Sequence, residues 1–329
     1  MNKAMLMGLA LALSFSSQSF AAEEGKGVVK GPTETQSTMK VEDATQSKNK
    51  VSGDIDQEIT NAKLRADSGS KSKVSLSLST SYTGGALDNA FGQKRPRLSG
   101  DPANQDFTSL NLGLSGRYRW TKNDSVTFGT AFGFVTPFQG RVNSSKDAIN
   151  FNDPALGYSR VGKLGELQTV STIAYAAGTS ITSLAQDQTG QFGLSYNMMK
   201  PFQNGVAIGA SASAAYNIFD SKPGNNAKTA TTRYGGDNRT QYSLAIFPQA
   251  EYKFNSTYTA RTLFGYFNWR HLYGDANRYR MLQTYVYQSV GVGISVARNV
   301  YLYPNIQFLP GDMRADYTNV SLSGTFNIF

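Results

Sequence analysis

The stretch Ser109-Leu110-Asn111-Leu112-Gly113-Leu114-Ser115-Gly116-Arg117-Tyr118-Arg119-Trp120 sorts its side chains by parity. Leu110, Leu112, Leu114, Tyr118 and Trp120 occupy one set of alternate positions, and Ser109, Asn111, Ser115, Arg117 and Arg119 occupy the other. Successive side chains of an extended chain point to opposite faces, so this is a strand with one apolar and one polar face. A soluble sandwich has the same period. What distinguishes the two is the length of the strands and of the connections between them.

The pattern recurs in both directions. Val126, Phe128, Phe132, Phe134 and Phe138 alternate with small residues over 126–138, and Val206, Ile208, Tyr216 and Ile218 alternate with Ser211, Ser213 and Asn217 over 206–218. Further apolar sets are Tyr242/Leu244/Ile246/Tyr252/Phe254, Val286/Val290/Val292/Ile294/Val296, Val300/Leu302/Ile306/Phe308 and Val320/Leu322/Phe326/Ile328. Tight links at 121–124, 201–205, 255–257 and 298–299 alternate with long polar ones at about 83–106, 139–153 and 220–240. That asymmetry fits a membrane barrel with short turns at one end and long loops at the other. With both termini at the short-turn end, the strand number must be even. Strands at 154–162, 167–180 and 190–200, with a turn at 163–166, make it twelve and keep every long loop on one side. In the strand 258–270 both phases carry apolar groups: Phe264 and Tyr266 on one, Leu263, Phe267 and Trp269 on the other.

Composition agrees. Of the 329 residues 17% are charged, against roughly 25% in ordinary soluble chains, and 18 Tyr, 19 Phe and 32 Gly accompany no Cys and a single His. Disulfides, thiolate zinc sites and cysteine nucleophiles are therefore impossible. Mean hydropathy is −0.37. No internal run approaches the roughly 18 consecutive apolar residues of a spanning helix.

The N-terminus has the features of an export signal. Lys3 precedes an apolar stretch at 4–15, and Ser19 and Ala21 are small residues at the −3 and −1 positions of a cleavage site, so residues 1–21 are predicted to be a signal peptide. Residues 22–72 form a polar segment without Phe, Tyr or Trp, and 22–52 are predicted to be disordered, because they bury too little apolar surface to offset ordering entropy. A short helix is expected at 55–67: Asp54 and Gln57 stand at capping-box spacing, Ile55, Ile59, Ala62 and Ala66 recur at helical intervals, and Gly69 follows as a C′ residue. It serves as a plug, as a partner-binding helix for a periplasmic protein, or as a marginal helix resting on the periplasmic end of a barrel spanning 73–329.

The signal peptide, the alternating strands over 74–329 and a last strand ending in Phe329 together resemble Gram-negative outer-membrane β-barrel proteins of porin-like type. The resemblance implies an all-β, antiparallel up-and-down barrel in the bacterial outer membrane, with outer-membrane lipid as its surroundings. Phe329 is out of phase with the even-numbered apolar face of the last strand, so either the strand bulges near its end or Phe329 is not the usual terminal assembly signal. Tyr118, Trp120, Tyr252 and Phe254 near the short turns, and Phe138 and Phe308 at the far ends, are placed as interfacial aromatic girdles.

Charge is concentrated in the barrel. Residues 74–329 hold 22 Lys/Arg and 14 Asp/Glu, a net 22 − 14 = +8 of the chain's +9. Lys122, Lys163 and Lys200 at the short turns read as head-group contacts. Arg117, Arg119 and Lys253 point by strand phase into the lumen, opposed by Glu251, and Arg261 joins whichever group its strand phase selects. These residues form either a network that rigidifies the bore or a basic field that attracts anions. Tyr285, Tyr287, Tyr301 and Tyr303 also face the lumen, and either line a binding track or fill the bore.

Enzymatic chemistry has little to work with. His271 lies in WRHLYGD near Asp275, with no Ser within three residues, and reads as an interfacial His beside Trp269. Neither a GxSxG, HExxH, P-loop or EF-hand pattern nor a cofactor fingerprint is present. Export and lumenal charge argue against a nucleic-acid partner despite a pI of about 9.5. Two functions fit: a passive channel for small polar or anionic solutes, and a non-conducting structural or surface-interaction barrel.

Overall fold

The computed structural model describes residues 59–96, 98, 106–139, 149–223, 238–283 and 286–328. The signal peptide expected at 1–21, the disordered stretch expected at 22–52, Tyr285, Phe329 and the middles of three long loops lie outside the described residues.

Twelve staves form the wall: β1 (Val74–Ala86), β2 (Ser109–Arg119), β3 (Asp124–Val135), β4 (Ala155–Leu164), β5 (Leu167–Ala177) and β6 (Gln188–Pro201) are followed by β7 (Val206–Phe219) and β8 (Thr240–Lys253). Next come β9 (Tyr258–Phe264 continued by Phe267–Leu272), β10 (Leu282–Gln283 continued by Gln288–Ala297), β11 (Val300–Phe308) and β12 (Asn319–Asn327). Each pairs antiparallel with the next, and β12 pairs with β1 from Ser77↔Asn327 to Thr83↔Ser321, which closes the sheet. Closure pairs the edges that an open sheet would leave in hydrocarbon. The register shifts between Thr83 and Ala86, opposite the start of β12, but is regular from Ser321 to Asn327, and the Ile328 N–H continues it to the Leu76 carbonyl at 2.7 Å.

The apolar phase faces outward. Leu114, Phe128, Leu156, Ile173, Leu194, Ile208, Ile246 and Leu322 are all exposed around the circumference. A continuous belt of this kind around a closed sheet is a lipid-facing surface, since water would penalise it at about 25 cal/mol per Å². Tyr118, Trp120, Tyr252 and Phe254 are exposed beside the short turns. At the loop end Tyr82, Phe91 and Phe138 cluster with ring centroids 5.2–5.9 Å apart. Phe308, by contrast, is buried.

The double apolar phase of 258–270 has a simple cause. Leu263 pairs with Gln249 while Phe267 pairs with Ile246, so four residues on β9 span three on β8. One extra residue inverts the phase, as a β-bulge does. Arg261 and Leu263 therefore share the inward side with Glu251 and Gln249, and Phe267 and Trp269 share the outward side with Ile246 and Leu244.

Helix formation before the barrel is shorter than the capping-box spacing predicts. Helix α1 is Ala62–Asp67, and its N-cap is Asn61, whose Oδ1 accepts the Leu64 N–H at 3.0 Å. Ile59 and Thr60 precede it without helical structure, because the backbone N–H groups of Thr60 and Asn61 donate to Gln168 Oε1 of the wall, at 2.9 and 3.0 Å. The cap of α1 is therefore Asn61, whose own N–H is taken by Gln168 of the wall, and Asp54 and Gln57 lie outside the described residues. Gly69 has the C′ role expected of it: its φ is +75° and its N–H donates to the Ala66 carbonyl at 3.0 Å.

Candidate functional site

The inward phase of the wall changes character along the barrel axis. Around mid-barrel it consists of small residues, among them Ser79, Gly113, Ala131, Ala174, Ser195 and Ser213, all of them partly accessible although they face inward. Short side chains leave room in a twelve-stranded bore, and that accessibility is the bore's own surface. Toward the short turns the inward residues are buried: Val161, Val170, Gln168, Met199, Glu251, Arg261, Tyr301 and Tyr303. What buries them is the segment Ile59–Ser70.

Two kinds of contact hold this segment. Ile59 and Leu64, both fully inaccessible, pack with Val161, Val170, Met199 and Ala207 of β4 to β7, and Ala66 packs with Tyr301 and Tyr303 of β11. Burial of this kind stabilises by roughly 1.5–3 kcal/mol per large side chain. The other contacts are polar. Arg117 Nη2 donates to the Asp67 carbonyl at 3.0 Å, Arg119 Nη2 to those of Ser68 and Ser70, the latter at 3.1 Å, and Arg298 Nη1 to that of Gly69 at 3.1 Å. Three guanidinium groups thus take four successive carbonyls, from the last helical residue Asp67 to Ser70, where the helix dipole also favours cations.

Glu251 links wall and segment. Its Oε2 accepts from Asn61 Nδ2 at 2.7 Å, and its Oε1 lies 3.3 Å from Arg261 Nε. The Arg261 guanidinium also donates to Gln249 Oε1 and lies 5.0 Å from the Tyr303 ring centroid. Lys63 and Asp67 form an i,i+4 pair at 2.9 Å inside the same mouth. Buried charges of this kind persist only when paired and hydrogen-bonded.

Of the residues singled out from sequence, Arg117, Arg119, Glu251, Tyr301 and Tyr303 meet at this one place, and Arg261 joins them. Lys253 shares the inward phase but stands exposed at the end of β8, where its N–H donates to the Gly205 carbonyl. Tyr287 sits apart, its ring centroid 6.4 Å from that of Phe247. Among the turn lysines, Lys200 pairs with Glu166 at 2.5 Å, and this hydrogen bond holds the Glu166 carboxyl below the ordinary range. Period-two reading missed Gln168, Met199 and Arg298, because parity says which way a residue points and not what meets it.

His271 is held structurally. It is buried, its ring stacks on Tyr242 with centroids 4.6 Å apart, and its Nδ1 lies 2.8 Å from the Arg280 carbonyl. Asp275 pairs with Arg280 at 3.1 Å.

No protein-family model matches the sequence, and no curated protein matches it. Solved structures are similar at low identity, among them the following three. An outer-membrane channel from Pseudomonas putida F1 is 10% identical with a TM-score of 0.49, the match covering 80% of this chain and 98% of that one. The NanC porin is 9% identical with a TM-score of 0.41, over 77% of this chain and 100% of that one. Salmonella typhi OmpF in complex with daunomycin is 8% identical with a TM-score of 0.37, over 79% and 98%. The fold stands on the closed pairing and the apolar belt. This chain is a twelve-stranded membrane β-barrel.

Proposed function

We propose that the chain is a passive, porin-like channel of the bacterial outer membrane for small polar or anionic solutes. The observation that carries this reading is the accessible mid-barrel lining of Ser, Gly and Ala. Barrels of about eight strands are filled by their own side chains and those of 16–18 strands hold an aqueous channel; small residues shift a twelve-stranded barrel toward the second case. The anionic preference rests on Arg117, Arg119 and Arg298 at the mouth, where low-dielectric walls focus their field, since Arg261 is balanced by Glu251. Short turns on one side and long loops on the other fit the periplasmic and outer faces of such a membrane.

One observation favours the alternative of a non-conducting barrel: residues 59–70 fill the short-turn mouth. Liposome swelling separates the two. Proteoliposomes in small neutral sugars and in salts of small organic anions should swell faster than protein-free vesicles, fastest with the anions. No acceleration with any solute would favour the non-conducting barrel.

A further inference from the structure

Barrel closure does not require residues 59–70. The wall is hydrogen-bonded stave to stave without them, and the segment adds no strand. It is nevertheless seated in detail, with Ile59 and Leu64 in an apolar pocket at one end and four carbonyls on three arginines at the other. Covalently it is joined to the described wall on one side only: residues 71–73 lead from Ser70 into β1 at Val74. Every other attachment is a non-covalent contact, and the chain has no cysteine with which to make a disulfide.

We propose that Ile59–Ser70 is an autoinhibitory plug. Seated, it closes the bore at the short-turn end; unseated about residues 71–73, it leaves the accessible mid-barrel lumen continuous to that side. The inference rests on the channel reading above and adds a closed state to it. The two anchorages differ in kind. The Leu64 side chain fills an apolar pocket, so a charge there ejects the segment while leaving the wall intact. The arginine contacts use neutral carbonyl acceptors, which bind a guanidinium less strongly than a carboxylate or phosphate does.

The experiment compares full-length wild type, Leu64→Asp and a deletion of 59–70 in planar bilayers, each first checked for heat-modifiable mobility as a sign of a folded barrel. A fourth protein, Leu64→Cys, reports seating directly, since its thiol is the only one in the chain. Wild type should be mostly closed with infrequent openings. Leu64→Asp should raise open-state occupancy by about tenfold or more, the consequence of an unpaired charge in an apolar pocket, at the unit conductance of the wild-type openings. The deletion should stay open, and the Leu64→Cys thiol should react with a maleimide much more slowly in the folded barrel than after denaturation. Steady wild-type current, unchanged in Leu64→Asp and in the deletion, would overturn the plug and leave the channel standing. Silence from all three folded proteins would remove the channel reading, and the plug with it.

Discussion

Arg119 of β2 donates through Nη2 to the carbonyls of Ser68 and Ser70, while its own backbone N–H donates to the Lys73 carbonyl at 2.8 Å. One wall residue therefore fixes both the end of the inserted segment and the strand that follows it. A charge that strand phase places in the lumen is, in the folded chain, a structural clamp as well as a source of field.

Breaking the Glu251–Arg261 pair from one side should be costly. Glu251→Gln leaves Arg261 buried beside a neutral partner, and removing one member of a buried pair typically costs about 3–5 kcal/mol. Lys253→Ala, two residues along and exposed, should stay within about 0.5 kcal/mol. Guanidinium-induced unfolding in detergent, followed by tryptophan fluorescence, measures both. Equal, small effects would show that the pair is solvated and contributes little.

The inside–outside assignment makes a second prediction. Leu112→Arg places a guanidinium on the lipid face and should cost about 2–4 kcal/mol, the value for Arg near a bilayer midplane. Ser115→Arg enters the lumen and should cost less. Unfolding from phospholipid vesicles measures the difference. Equal sensitivity in both phases would contradict the belt.

Much of this fold was legible because a barrel wall is written in period two. Leu110 to Trp120 declares its two faces without reference to any other strand, and the link lengths order the strands. The region 258–270 was not legible, because one inserted residue at the bulge inverts parity and nothing local marks it. The plug was legible only in part. Gly69 signalled a helix end, but the seat of α1 depends on Gln168, 107 residues from Asn61, and Leu64 meets Met199 only after closure. Parity turns Arg117 and Arg119 inward, but their acceptors are backbone carbonyls, which carry no sequence signal.

Close backbone approach at Gly209 yields a third prediction. A Cβ there would lie 1.9 Å from the Met198 carbonyl oxygen and 2.6 Å from Met199 Sδ, whereas at Gly116 it would meet only the Phe128 carbonyl, at 4.0 Å. Gly209→Ala should therefore destabilise by about 1–3 kcal/mol, the range for overpacking, and should disturb the pocket that receives Leu64. Gly116→Ala should be nearly neutral. The change in unfolding midpoint for the two variants is the check, and similar midpoints would show that the β6–β7 approach relaxes freely.

The most direct test of a basic, solute-conducting bore is the reversal potential across a KCl gradient, recorded from openings of the wild-type protein and of Arg117→Gln/Arg119→Gln. The account predicts anion-selective current in the wild type and a shift toward zero in the double variant. The preference should be weaker at 1 M than at 0.1 M salt, as the Debye length falls from about 10 Å to about 3 Å. Cation selectivity in the wild type, or a reversal potential that the double substitution leaves unmoved, would contradict it.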